Sequence, residues 1–392
     1  MQGAKGWACP LEGCAVLTVL AWFVGFCLAV QLAGVALALS TLYRPAPADA
    51  RRDTPGITIL RPVCGLENQL HQTLASTFTA NYPLYEIIFC VASPTDAAIP
   101  LVHDLIAANP HIPAKLLIGD EKVSGNPKLN NLVKGWNAAA HPLILMSDSN
   151  VILPPDTLQR LLDQWTPGTG LVSSPPIGTA PAGFWASLEC AFLNTFQARW
   201  QMAASRLGNG FAQGKMLFWE RKLVESNGGL AQLGKEMAED VASTKLVRSQ
   251  GLHVRLPGKF FEQPIGPRQF QTIWSRQVRW ARVRRLGFPA LFLPELITGA
   301  LFPTLALLIL ILTGKFSLLT LPLLLVVWYS AEYLLAAAGD WPRQPADIAA
   351  WALRDALLPA LWVACWAGSG FEWRGTAMTV DQTTANDPKD GA

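Results

Sequence analysis

The sequence predicts an α/β domain built on a Rossmann-like, mostly parallel sheet, with transmembrane helices towards both ends of the chain. Three observations lead there. Of 392 residues, 51% are hydrophobic and 15% charged, with a positive mean hydropathy, which excludes a disordered chain and a purely soluble one. The longest apolar runs lie towards the two termini. Between them, short apolar or β-branched runs alternate with helical stretches over about 230 residues, enough to bury a sizeable core.

Residues 14–42 are apolar apart from a few small polar residues and Gln31, longer than the roughly 20 residues a helix needs to cross a bilayer. Ala46-Pro47-Ala48 resembles a leader cleavage site, but the apolar run exceeds the roughly 7 to 15 residues of a secretory leader. An uncleaved anchor over 1–50 is therefore expected. In the central region, 51–268, the runs Ile57–Val63, 86–92, 115–118 and Leu143–Ser147 read as strands, and 66–77, 98–108 and 127–139 as helices. Such alternation indicates a parallel sheet covered on both faces, whose ligands sit beyond the carboxyl ends of the strands.

Further along, residues 269–290 read as an amphipathic helix lying on the membrane surface, with Phe270, Ile273, Trp274, Trp280 and Ala281 to one side and Arg276, Arg279 and Arg282 along another. In the region 291–370, residues 296–312 and 316–338 are two candidate spans, joined by Thr313-Gly314-Lys315 as an antiparallel hairpin. Glu332 in the second must face a neighbouring helix or an interface. Residues 348–366 are interrupted by Arg354, Asp355 and Pro359, and a span, a re-entrant segment and a surface helix are all compatible with them. The rest, 371–392, is expected to be a polar tail, disordered from Asp381.

A net charge of +3 is too small to point to nucleic acid. The arginines are instead local: six lie between Arg268 and Arg285 with no acid among them, favouring phosphates or anionic headgroups beside a membrane. Together with Arg44, Arg51 and Arg52 they orient the central region towards the cytoplasm. The seven cysteines are scattered and suggest neither a disulfide framework nor a zinc site.

Candidate chemistry gathers at the strand ends. The first strand leads to Cys64-Gly65-Leu66-Glu67-Asn68, the second to Asp96, and the fourth to Ser147-Asp148-Ser149-Asn150. Magnesium and manganese take oxygen ligands, so Asp148 is the candidate metal ligand for an ion that neutralises a diphosphate. Asp148 and Ser149 would alternatively begin a turn and cap the next helix, and Asp96 would do the same for its own. Glu239-Asp240 opens a further helix, where Asp240 could serve as general base or simply compensate the helix dipole. Arg276 and Arg279, three residues apart beside Trp280, could hold a departing diphosphate, or anchor the helix to lipid headgroups.

Asp96, Asp148, Glu239-Asp240 and Arg276-x-x-Arg279-Trp280 stand in the order of the signature of membrane glycosyltransferases. More closely, Leu60-Arg61-Pro62 with Leu66-Glu67-Asn68, Asn81-Tyr82-Pro83 with Tyr85-Glu86, Gly125-Asn126-Pro127-Lys128-Leu129-Asn130-Asn131-Leu132 and Ala238-Glu239-Asp240 resemble the ceramide glucosyltransferase family. The resemblance covers residues 57–285 and the flanking spans. It implies a GT-A fold, UDP-glucose as donor, the primary hydroxyl of ceramide as acceptor, and inversion at the anomeric carbon. Asp96 would then contact the nucleotide and Asp148 the metal and diphosphate. Asp240 would be the base, while Arg276, Arg279 and Trp280 would bind diphosphate and frame the acceptor. Glu67, Lys128, Asn131 and Glu239 are further candidates for the nucleotide-sugar site, though Asn126, Lys128 and Asn131 would equally suit a helix start.

Ser173 and Ser174 depart from the family pattern, as does Asn150, where a full Asp-x-Asp pair would have a second carboxylate. Another lipid acceptor (hopanoid, sterol or diacylglycerol) or another sugar (galactose or glucuronic acid) therefore remains an alternative. A processive polysaccharide synthase shares the aspartates but has glutamine where this chain has Arg276, and it needs more spans. A non-catalytic membrane protein that binds nucleotide sugars is the alternative from another class. Cys190, Trp185 and Trp200 read as core or membrane-facing residues.

Overall fold

The computed structural model describes residues 11–45, 47–48, 53–368, 371–373 and 376–378. Ala46 of the cleavage-like sequence, Arg51 and Arg52 of the orientation argument, and the tail from Asp381 lie outside the described residues. The first apolar run is a single helix, α1 (Leu11–Leu42). Then follow β1 (Ile57–Val63), α2 (Leu70–Ala75), β2 (Tyr85–Val91), α3 (Ile99–Ala108), β3 (Ala114–Ile118), α4 (Pro127–Ala138) and β4 (Leu143–Ser147), in the expected alternation. Residues 66–69, expected in the first helix, form a loop instead. Gly65 and Gln69 both adopt positive φ, at 68° and 55°, which a right-handed helix does not accommodate.

The remainder of the central region comprises α5 (Thr157–Leu162), β5 (Thr169–Ser173), β6 (Pro176–Ala182), α6 (Phe184–Ala191), a π-helical turn (Phe192–Ala198) and α7 (Arg199–Arg206). After these come β7 (Met216–Glu220), α8 (Arg221–Glu225), α9 (Gly229–Leu233), α10 (Glu239–Ser249), β8 (His253–Arg255) and β9 (Phe261–Pro267). Seven strands form one sheet in the order β3-β2-β1-β4-β7-β5-β8. β3, β2, β1 and β4 are parallel, and β7 alone runs against its neighbours β4 and β5. β6 and β9 pair separately, in parallel.

Both faces of the sheet are covered, as period-2 strands with few polar residues require. Ile59, Phe89, Leu145 and Phe218 point into one core with Leu74, Val102 and Leu161 of α2, α3 and α5. Leu60, Ile88, Ile144 and Leu217 point into the other with Leu132, Leu233 and Leu246 of α4, α9 and α10. Chain order reverses between β1 and β4, and the crevice beyond their carboxyl ends is where such sheets bind ligands.

The C-terminal part contains α11 (Phe270–Gly287), α12 (Pro289–Phe292), a 3-10 turn (Leu293–Ile297), α13 (Leu301–Leu312), α14 (Thr320–Ala338) and α15 (Pro345–Ala364). Ala15–Leu42, Pro289–Leu312 and Thr320–Ala338 are long and apolar enough to cross a membrane. The second is interrupted before α13, where the Ala300 N–H donates to Asp355 Oδ2 at 3.0 Å. α15 packs against α6 and buries Arg354 and Asp355. Phe371–Trp373 and Thr376–Met378 pair as two short antiparallel strands within the stretch expected to be a polar tail.

Glu332 of α14 faces its neighbours, as expected. It is fully buried, 2.9 Å from the Arg354 guanidinium and 3.7 Å from Arg199, and it accepts from Gln31 of α1 at 3.0 Å. Arg199 also donates to Gln31, and Arg354 to Thr195 of the π-helical turn. One polar network thus ties α1, α14 and α15 to the helix that carries α6 and α7. The five cysteines with described side chains, Cys27, Cys64, Cys90, Cys190 and Cys365, are all free.

Candidate active site

At the mouth of the crevice, Lys128 gathers three parts of the chain. Asn126 caps α4 by accepting from the Lys128 and Leu129 N–H groups, and this starts the helix so that Lys128 reaches the end of β4. Its Nζ lies 2.6 Å from Asp148 Oδ1 and 2.8 Å from Glu239 Oε1, and it donates to the Gly214 carbonyl at 2.5 Å. The Asn126 amide completes the contact by donating to Glu239 Oε2 at 2.8 Å. Asn126 therefore fills the helix-start role, and Lys128 next to it ties that start to Asp148 and Glu239.

Asp148 is also 2.9 Å from Lys215 Nζ, which in turn donates to Asn150 Oδ1 at 3.0 Å. Burial works to raise the Asp148 carboxyl, but Lys128 and Lys215 outweigh it and hold the group well below the usual carboxylate range. The same pairing raises Lys128 against its own burial. Lys215 goes the other way, because burial and the nearby Arg276 charge overcome the attraction of Asp148. Asp148 does not cap the following helix, whose N-cap residue is Asp156.

Asp240 lies in the first turn of α10. Its Oδ2 accepts from the Gly214 N–H at 3.0 Å and its Oδ1 from the Val241 N–H at 2.8 Å. Burial, reinforced by the neighbouring Glu239 charge, pushes its carboxyl up to about 7, against the pull of those two N–H groups and Lys128. A carboxylate poised near neutrality suits proton abstraction. The loop before β7 is fixed by Ser173, whose hydroxyl donates to the Gln213 carbonyl and accepts from its N–H. The serine at this departure from the family pattern thus has a structural task next to the site.

Glu67 joins from the β1 loop by accepting from the Ser149 hydroxyl at 3.1 Å. Beneath both lies Arg61, fully buried and bonded to Ser147, Thr73, Ser149 and Val151. Burial lowers it to about 9, against the opposing charges of Asp148 and Glu67. Asp96 is held one strand over: both its oxygens accept from the Gly65 N–H, and Oδ1 also accepts from the Ala98 N–H. Asn131 turns away from the cluster, donating to the Cys90 carbonyl and accepting from Lys134.

The arginine helix is divided by partners that its own segment lacks. Glu189 of α6, fully buried, lies 2.5 Å from Arg276 and 2.8 Å from Arg268. Arg284 pairs with Glu295 at 2.7 Å, while Arg282 and Arg285 donate to the carbonyls of Ala367 and Gly368. Arg276 stacks over Trp280 at 4.7 Å and is close enough to depress Lys215. The arginine helix therefore bears electrostatically on the carboxylate cluster. Lys215 and Glu189 escaped sequence reasoning. For Lys215 the only available signal was its position next to a glycine before a strand, and Glu189 sits unmarked in an apolar helix.

Among the described residues, no three His, Cys, Asp or Glu side chains gather into a metal cage. Asp148 holds both its oxygens against lysines, Oδ1 on Lys128 and Oδ2 on Lys215, and a hard cation that took it would complete its shell with phosphate oxygens and water.

The profile of glycosyl transferase family 21 matches residues 19–386. Ceramide glucosyltransferase 3 of Caenorhabditis elegans is 25% identical over 391 residues, covering 96% of this chain and 84% of that protein. Ceramide glucosyltransferase 1 of the same organism is 30% identical over 243 residues, covering 62% of this chain and 52% of that protein. A shorter match, 39% identical over 112 residues, joins 28% of this chain to 22% of the ceramide glucosyltransferase of Komagataella phaffii. Among solved structures, mannosyltransferase PcManGT from Pyrobaculum calidifontis, in complex with GDP-Man and Mn2+, superposes with a TM-score of 0.56 at 16% identity, covering 89% of this chain and 98% of that one. That likeness establishes the GT-A-type fold. The chain belongs to glycosyl transferase family 21, the ceramide glucosyltransferase family, and is a glycosyltransferase.

Proposed function

We propose that the protein transfers glucose from UDP-glucose to the primary hydroxyl of ceramide, with inversion at the anomeric carbon. The observation that carries this reading is the convergence of Asp148 and Glu239 on Lys128 at a sheet switch point, with Asp240 beside them on the Gly214 N–H. Similarity to ceramide glucosyltransferases over nearly the whole chain supports the acceptor.

In the proposed single displacement, ionised Asp240 takes the proton of the ceramide hydroxyl. The hydroxyl oxygen forms its bond to the anomeric carbon as the bond from that carbon to the diphosphate breaks, and UDP leaves with the electron pair. Lys128, Lys215, Arg276 and Arg279 face the charge that develops on the departing diphosphate. Trp280 frames the acceptor, and Asp96, Glu67 and Glu239 shape the nucleotide-sugar side. A divalent ion, Mg2+ or Mn2+, held by Asp148, would supply further positive charge to the diphosphate.

The membrane belongs to this reading, because a lipid acceptor leaves the bilayer only at high cost. Arg44 after α1 and the arginines of α11 before the next apolar stretch favour a cytoplasmic catalytic face, where nucleotide sugars are found. The test is a panel of labelled UDP-glucose, UDP-galactose and UDP-glucuronic acid against ceramide, diacylglycerol and hopanoid, with products identified by mass. Glucosylceramide is the expected product. Glycosylation of another lipid alone would overturn the acceptor, and UDP binding without any product would favour a non-catalytic binding protein.

A further inference from the structure

We propose that the exposed apolar surface formed by residues 180–185 and the start of α11 holds the hydrocarbon chains of the lipid acceptor. This rests on the proposed transfer to a lipid hydroxyl and names the part of that site that takes the tail. No charged residue lies between Asp163 and Glu189. Within that stretch β6 runs out into residues 180–185, all exposed except the half-buried Pro181. Phe184 and Trp185, at the start of α6, are 38% and 40% exposed. Ala180 and Gly183 have positive φ, 48° and 94°. An alanine in that region is uncommon, and such backbone gathers at ligand sites.

Single exposed apolar side chains are ordinary on a protein surface, and that would account for Phe184 or Trp185 alone. It does not account for four aromatic rings from two elements in one continuous ladder. Ring centroids are 5.4 Å apart for Phe184 and Trp185, 5.2 Å for Trp185 and Phe270, and 6.1 Å for Phe270 and Trp274. The ladder leads into the membrane part of the molecule. Phe270 and Trp274 pack against the apolar cluster that holds Val35 of α1 and Leu335 of α14, both on helices apolar enough to cross a bilayer. Aromatic side chains favour the boundary between hydrocarbon and water, so the surface stands where a lipid would leave the bilayer.

The same two helices lead from the ladder to the diphosphate clamp. Trp185 and Glu189 are one turn apart on α6. Trp185 meets Phe270 of α11, and Glu189 holds Arg276 of α11. Phe270 and Arg276 are separated along α11 by about 9 Å, at 1.5 Å per residue. Trp280, over which Arg276 stacks, packs against the cluster that includes Ala186 in the first turn of α6. An acceptor with its hydroxyl at the clamp therefore meets apolar surface where its chains begin. Burial of those chains is favourable, whereas a water-soluble acceptor gains nothing from such a surface.

The test uses the full chain in phosphatidylcholine nanodiscs with UDP-glucose and two acceptors, a long-chain ceramide in the bilayer and a ceramide with two short chains in solution. Phe184→Ser combined with Trp185→Ser, at an unchanged melting midpoint, should raise the KM for the long-chain acceptor roughly tenfold or more. The KM for the short-chain acceptor should stay at the parent value, and Trp185→Phe, which keeps a ring in the ladder, should behave as the parent with both. An equal rise for both acceptors, or none for either, would overturn the proposal. A second readout needs neither turnover nor a variant: long-chain ceramide with a diazirine in its acyl chain is photolysed with the parent protein, and the label is mapped by peptide mass spectrometry. Label on residues 180–185 and 270–274 that excess unlabelled ceramide removes is the expected result. Label there that excess ceramide leaves unchanged would make the surface a general bilayer contact and overturn its role for the acceptor, as would the absence of label. Displaceable label without any glucosylceramide would fault the proposed reaction, and glucosylceramide without label there would fault this surface alone.

Discussion

Lys128 Nζ lies 2.6 Å from Asp148 Oδ1, joining the start of α4 to the end of β4, and the same ammonium reaches Glu239 at the start of α10. Removing it leaves the buried Glu239 carboxylate without its cation and Asp148 with Lys215 alone. Lys128→Met should therefore destabilise the protein by about 3 kcal/mol, within the range for breaking a buried ion pair, and should also weaken UDP binding. Denaturant melts in detergent and calorimetric titration with UDP check both effects.

Asp240 and Asp148 should leave opposite marks on pH dependence. Transfer requires ionised Asp240, so the rate should rise with pH through about 7 and level off above it. For stability the sign reverses. Between about 3.9 and about 7 the folded state keeps a proton that the unfolded chain has lost, so this group's contribution falls as pH rises through that window. Asp148, lowered in the folded state, contributes above about 3.9 and loses its contribution as the pH falls through its lower folded value. Asp240→Asn should thus be no less stable than the parent at pH above about 7, as thermal melts across pH would record.

Glu189 holds Arg276 and Arg268 from a fully buried position, which makes it a positioning residue for the arginine helix. Glu189→Gln should raise the KM for the nucleotide sugar by roughly tenfold, the scale of one charge-assisted hydrogen bond lost at a site. Glu189→Asp should recover part of the loss. A variant that only lowers the melting midpoint, with KM unchanged, would restrict Glu189 to a structural role.

The network around Glu332 lies among α1, α14, α15 and the π-helical turn, and its loss should be felt in folding. Glu332→Ala would leave Arg354 and Arg199 buried without their shared partner, a change expected to cost about 3–5 kcal/mol. Detergent melts should show a lowered midpoint, while the KM of any surviving folded protein stays near that of the parent.

If the diphosphate is neutralised partly by an ion on Asp148, removing divalent ions should reduce transfer, and adding back Mg2+ or Mn2+ should restore it. Full activity in excess chelator would assign that charge to Lys128 and Lys215 alone.

Much of the architecture was legible in the sequence because its signals are local. The apolar runs of β1, β2, β3 and β4 and the polar residues at their ends follow from period and position, and so does the start of α10 at Glu239. Less legible was whatever depends on distant partners. Met216–Glu220 is as apolar as the parallel strands, and nothing in its composition marks it as the strand that runs against β4. Residues 66–69 carry helix-compatible side chains, but Glu67 is drawn to Ser149 and Gly65 to Asp96. Six arginines without a local acid resemble a free phosphate clamp until Glu189 and Glu295 arrive from other elements. Lys215 was hidden for the same reason, since its partner Asp148 is remote in sequence.

The most direct measurement pairs the parent with Asp240→Asn, each given UDP-glucose and ceramide and each titrated with UDP. The parent should form glucosylceramide, and the variant should bind UDP with similar affinity while forming none. Undiminished glucosylceramide from the variant would contradict the assignment of Asp240 as the base.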